Sequence, residues 1–212
     1  MIDRIIFAGD NFLSEKKITP LGGGKVLFAP KEESLIALDE NSLELGRKLL
    51  ELYQKYDIVY LDTRYLKVTD LGMGFLNEFG IKFLNNLGEC LDPAGLNLYY
   101  TDSIDESAKR EDLTLRLIMS RPREHCANPL CGRKFSKSPF EGELLSRAFH
   151  NLLTRLNLQG YDIYTDLRAL EAGGFSAVVS AILRDDNLEY YRLMDVYIEE
   201  DHNIKSIERL EE

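Results

Sequence analysis

Asp57-Ile58-Val59-Tyr60-Leu61-Asp62 is the stretch that decides the fold class. Four apolar residues in a row, two of them β-branched and one aromatic, are bounded by aspartates. That is the length and composition of a strand covered on both faces, not of a helix. On its N-terminal side Leu45, Leu49, Leu52, Tyr53 and Tyr56 recur at helical spacing behind Asn41 and Glu44, which have the separation of a capping box. On its C-terminal side Asp70 opens a second series, Leu71, Phe75, Phe79, Phe83 and Leu87, closed by Gly88. This predicts a helix even though Gly72, Gly74 and Gly80 each cost about 1 kcal/mol of helix propensity.

The same alternation extends outward. Residues 4–8 and 25–29 are strand candidates, the first closed by Gly9-Asp10-Asn11 and the second by Pro30, with a loop over residues 20–24 between them. Residues 96–101 and 113–119 are further strands, the latter half-buried and ended by Pro122. Residues 139–158 carry the clearest helix: Ser138 caps, Pro139 occupies the first turn, Glu141 completes the capping box, and Gly160 stops it. Leu145, Phe149, Leu152, Leu153 and Leu156 form its apolar stripe. Residues 161–165 are a short strand candidate. The stretch 176–183 fits either a strand or a buried helix, and residues 188–198 and 204–210 form a hairpin around Asp201-His202-Asn203. The expected architecture is a single α/β domain over 1–212. A partly parallel, Rossmann-like sheet flanked by helices carries an antiparallel β addition in the C-terminal subregion 176–212.

Composition narrows the function classes. The chain has 212 residues, 44% hydrophobic and 29% charged, with a formal charge of −10. No apolar run reaches the roughly 18–20 residues of a membrane span. Met1-Ile2-Asp3-Arg4 shows no basic region leading into an apolar leader, and three cysteines make no disulfide framework, so a cytoplasmic protein is expected. The negative charge disfavours nucleic acid as a partner. It is unevenly spread: residues 109–155 carry 10 basic and 5 acidic side chains, net +5, between acidic flanks. A small anionic molecule or a protein partner is therefore compatible with this middle block. Arg121, Arg123 and Arg133 are its candidate ligand-binding residues, because guanidinium forks pair with phosphate or carboxylate.

Four apolar stretches finish on aspartate, at Asp10, Asp62, Asp102 and Asp166. In open α/β sheets ligands bind beyond the carboxyl ends of the strands. Asp10 and Asp62 are thus candidates for holding Mg²⁺ or for acid–base chemistry, whereas Asp102 suits a turn or cap. Gly22-Gly23-Gly24-Lys25 is not a phosphate loop, since Lys25 opens a strand instead of a helix.

Two short resemblances add detail. Ile5-Ile6-Phe7-Ala8-Gly9-Asp10-Asn11-Phe12 resembles the first block of the SGNH (GDSL-type) hydrolases, in which a strand ends on Gly-Asp-Ser. The resemblance implies a catalytic role at Asp10 and Asn11. Asn11 stands where the family has its serine, and an amide has no ionisable hydroxyl, so a ligand binder without hydrolase activity is also implied. His125-Cys126-Ala127-Asn128-Pro129-Leu130-Cys131-Gly132 resembles a zinc knuckle. That implies Zn²⁺ on Cys126, Cys131 and His125, although the second cysteine pair of such modules is missing. The function expected from all of this is a small hydrolase or transferase acting on an anionic or phosphorylated metabolite. The alternatives are a non-catalytic interaction module carrying the zinc-knuckle-like loop, and a catalytically dead relative of the SGNH hydrolases.

Overall fold

The computed structural model describes residues 4–7, 18–28, 41–63, 66, 68–110, 114–119, 138–163, 174–183, 189–196 and 204–209. In chain order the first elements are β1 (Arg4–Phe7), β2 (Ile18–Gly22), β3 (Lys25–Phe28), α1 (Leu43–Tyr53), β4 (Ile58–Asp62) and α2 (Met73–Glu78). β5 (Lys82–Leu84), a 3-10 helix (Gly95–Tyr100), β6 (Ser103–Asp105) and β7 (Thr114–Met119) follow. The described elements end with α3 (Pro139–Leu158), α4 (Phe175–Leu183), β8 (Glu189–Val196) and β9 (Ile204–Arg209).

The result is an α/β fold on a seven-stranded sheet of order β1-β9-β8-β7-β4-β3-β2. β3, β4, β7 and β8 run parallel, with Val59 opposite both Val26 and Leu115, and Leu117 opposite Tyr190. β2 joins β3 through a Gly23-Gly24 hairpin, so the segment expected as a loop over residues 20–24 is largely strand. β9 lies antiparallel to β8, as the C-terminal hairpin predicted, and β1 lies antiparallel to β9 at the far edge. β1 therefore points the same way as the central four strands. β5 and β6 form a separate antiparallel pair.

The stretch 57–62 behaves as its composition requires. Val59 and Leu61 face one layer with Val26, Phe28, Leu115 and Leu117, while Leu27 and Tyr60 are buried on the other side. α1 packs on β4 through Leu45, Leu49 and Leu52. The open choice over 176–183 resolves as helix. Every residue of α4 except Ser180 is buried, which suits a helix apolar all round and enclosed by its neighbours. Lys109 Nζ closes its C-terminal end by donating to the carbonyls of Leu183 (2.7 Å) and Ile182 (3.3 Å). α3 spans the residues expected of it, with the Ser138 hydroxyl accepting from the Glu141 N–H and Gly160 in the left-handed region.

Three expectations are corrected. The helix read over residues 71–87 is only Met73–Glu78. Gly80 turns left-handed (φ +84°), and a Cβ there would meet the Ala108 carbonyl oxygen at 1.9 Å, so the chain reverses and Phe83 reaches the core from β5. Phe75 and Phe79 do stack on the helix, at 4.7 Å between rings, but Leu87 is 76% exposed. Residues 96–101 are not a strand but a 3-10 helix, because its carbonyls are taken by α3: Asn151 Nδ2 donates to Tyr99 (2.9 Å) and Leu98 (3.4 Å). Asp102 accordingly follows that helix and not a strand. The capping box at Asn41 and Glu44 is also not formed. The cap of α1 is Ser42, while Asn41 Oδ1 accepts from Leu43 N–H.

The strand placement of Phe83 has a direct consequence. In urea denaturation, Phe83→Ala costs about 3–5 kcal/mol. Leu87→Ala, at the position a continuous helix would bury, stays within about 0.5 kcal/mol of the parent.

Candidate functional site at the carboxyl edge of the sheet

β3, β4, β7 and β8 deliver their C-terminal ends to one edge, where Asp62, the last residue of β4, pairs with Ile118 of β7. Thr63 follows directly and is buried, and the Ser176 hydroxyl in the first turn of α4 donates to its Oγ1 at 3.2 Å. The N-terminal end of α4 is thereby held against the end of β4.

The segment that starts at Thr63 finishes on a fully buried carboxylate. Asp70 Oδ2 accepts from Ser42 N–H (2.8 Å), Ser42 Oγ–H (3.0 Å) and Gly74 N–H (2.8 Å), and Oδ1 accepts from Gly72 N–H (3.2 Å). Ser42 Oγ in turn accepts from Phe75 N–H at 2.8 Å. Apart from the Ser42 hydroxyl, these donors are N–H groups that helix starts leave without intrahelical partners. Asp70 thus satisfies the beginnings of α1 and α2 together, and its negative charge suits the partial positive charge of both helix ends. Close approach makes this geometry possible. A Cβ on Gly74 would lie 2.6 Å from Leu43 N, and one on Gly72 (φ +89°) would lie 2.8 Å from Val179 Cγ2. Leu71, at φ +50°, completes the tight entry into α2.

Of the residues expected to act, Asp62 sits at this edge as the end of β4. Asp10, Asn11, Arg121, Arg123, His125, Cys126, Cys131 and Arg133 lie outside the described residues. The strands that precede two of these segments are described. β1, which precedes Asp10 and Asn11, is separated from β4 by β9, β8 and β7. At about 4.8 Å per strand that is roughly 19 Å. Arg121 follows Met119, the end of neighbouring β7, by two positions, or at most about 7 Å of extended chain. The strand order thus brings the starting point of the arginine segment closer to Asp62 than that of the Asp10 segment. Among the described residues no group of three or more His, Cys, Asp or Glu is arranged to hold a metal ion. Cys90 is exposed and reduced, and His150 is exposed on α3 with Nδ1 at 2.8 Å from the Ser146 carbonyl. No described helix is long and apolar enough to cross a membrane.

Sequence reasoning identified Asp70 as a helix opener but not as the hub of two helices. Asp70-Leu71-Gly72-Met73-Gly74 carries a signal, a carboxylate followed by two glycines that bare backbone N–H groups. Its partner Ser42, 28 residues away, does not announce itself.

The chain is 28% identical over 125 residues to a glycerate kinase of Bacillus cereus, a match covering 54% of this chain and 32% of that protein. Its fold is similar to a crystal structure from Salmonella typhimurium LT2 assigned as glycerate kinase 2, with a TM-score of 0.61 at 16% identity. That likeness covers 79% of this chain and 49% of the solved one. The chain therefore spans about a third of the first protein and about half of the second. No family model matches.

Burial pushes the Asp70 carboxyl above the usual carboxylate range, and its hydrogen bonds from Ser42, Gly74 and Gly72 pull it partly back. A folded-state pKa above the unfolded value means that the native state binds the proton more tightly, so stability from this group falls as pH rises above the usual carboxylate range. Urea titrations from pH 3.5 upward check this. The parent loses stability relative to Asp70→Asn as the pH climbs through that window, and parallel profiles would refute the assignment.

Proposed function

We propose that the carboxyl edge around β4 and β7 binds a small hydroxy-acid anion and transfers a phosphoryl group to it, with glycerate as the first candidate. The observation that carries this reading is the 28% identity over 125 residues to a glycerate kinase, on a fold that also resembles a structure assigned to that activity. The strand-end aspartate supports it, because a carboxylate beyond a parallel strand is where such sheets present reactive groups.

In this reading Arg121 and Arg123 pair with the substrate carboxylate through their guanidinium forks, and Arg133 meets phosphate oxygens. Asp62 takes the proton of the attacking hydroxyl. The hydroxyl oxygen forms the new bond to the terminal phosphorus of ATP, the bond from that phosphorus to the bridging oxygen breaks, and ADP leaves. Asp10 and Asn11, which follow β1 in sequence, are assigned no contact with the substrate in this reading.

Coupled detection of ADP release with D-glycerate, ATP and Mg²⁺ tests the reading, alongside calorimetric titration with D-glycerate. Turnover is expected, falling about 10²-fold or more in Asp62→Asn. In Arg121→Ala the loss is expected mainly as a raised KM, the signature of lost substrate binding. Binding without turnover would leave a ligand-binding protein of the same anion class. Neither binding nor turnover would remove the proposal.

A further inference from the structure

Two strand-to-helix connections have their described ends near the carboxyl edge. One starts from Phe28 of β3 and ends at Leu43 of α1, and the other starts from Asp62 of β4 and ends at Met73 of α2. Their starting points are neighbours, since Phe28 pairs with Leu61. Their end points are joined too, because the Asp70 carboxylate accepts from Ser42 before α1 and from Gly72 and Gly74 at the start of α2. Ser42 Oγ extends the link by accepting from Phe75 N–H.

We infer that Asp70 and Ser42 form a positioning clasp that sets the starts of α1 and α2 as one unit, so that a ligand at the carboxyl edge senses the clasp without touching it. This rests on the site proposed above. Three features favour a clasp over an ordinary cap. A capping side chain serves its own helix, whereas this carboxylate serves two helices that are distant in sequence. Gly74 leaves so little room that a Cβ would sit 3.0 Å from Asp70 Oδ2 and 2.6 Å from Leu43 N, so the starts of α1 and α2 are pressed together around the carboxylate. Thr63, at the other end of the β4 connection, is held separately by Ser176, so that connection is anchored at both ends by buried polar contacts.

The test compares Asp70→Asn and the milder Ser42→Ala with Leu152→Ala, which cavitates the core at a fully buried position on α3. Thermal melting records the loss of stability in each. Amide hydrogen exchange of the free protein is expected to accelerate at the first turns of both α1 and α2 in the clasp variants, and at neither in Leu152→Ala. Affinity for D-glycerate is expected to fall tenfold or more in the clasp variants and to stay within twofold in Leu152→Ala. Should exchange rise on one helix only, or affinity follow melting temperature equally in all three variants, the clasp is overturned. A parent protein that binds no D-glycerate overturns the site reading, while the exchange pattern still decides whether the two helix starts are coupled.

Discussion

One carboxylate, buried with every hydrogen bond donated to it, organises the edge of this molecule. An isolated charge in a protein interior costs several kcal/mol unless it is paired or hydrogen-bonded. Asp70 is tolerated because the starts of two helices need acceptors as much as it needs donors. The arrangement is mutually dependent. Removing the carboxylate strands the N–H groups, and separating the helices strands the charge. Gly72 and Gly74 follow from the same constraint, since a side chain at either position meets Val179 or the Leu43 backbone.

From that point the rest of the edge can be understood as a set of attachments. α1 packs on β4 and α2 packs on α1, so the Asp70 contact sets where two helices begin relative to the parallel strands. α4 is held at its start by the hydroxyl contact to Thr63 and at its end by Lys109. Packing, not helix propensity, holds α4 in place, since nearly all its surface is apolar and covered. The starts of α1 and α2 are thereby tied to each other, and the start of α4 to the end of β4. The similarity to glycerate kinases belongs to the same α/β framework.

The parallel core was legible in the sequence because its signals are local. Asp57 to Asp62 reads as a doubly covered strand, and Ser138, Pro139 and Gly160 bracket α3 through caps that require only neighbouring residues. What misled was periodicity without topology. Leu71, Phe75, Phe79, Phe83 and Leu87 keep helical spacing, yet Gly80 reverses the chain beside Ala108 and divides the series between a helix, a strand and solvent. Residues 96–101 have strand composition, but Asn151 of α3 takes the carbonyls that a neighbouring strand would have used. For the site, the strand-end reading placed Asp62 at the carboxyl edge. The sequence could not show that three strands separate β1 from β4, because sheet order depends on long-range pairing. It could not show the meeting of Ser42 and Asp70 for the same reason.

The most direct measurement is a double-mutant cycle between Ser42→Ala and Asp70→Asn, read by urea unfolding at constant pH. If the two residues act as one structural unit, the double variant loses less stability than the single losses together, with a coupling of about 1–3 kcal/mol. Additivity within about 0.5 kcal/mol would mean that Ser42 and Asp70 act independently, and would contradict the account.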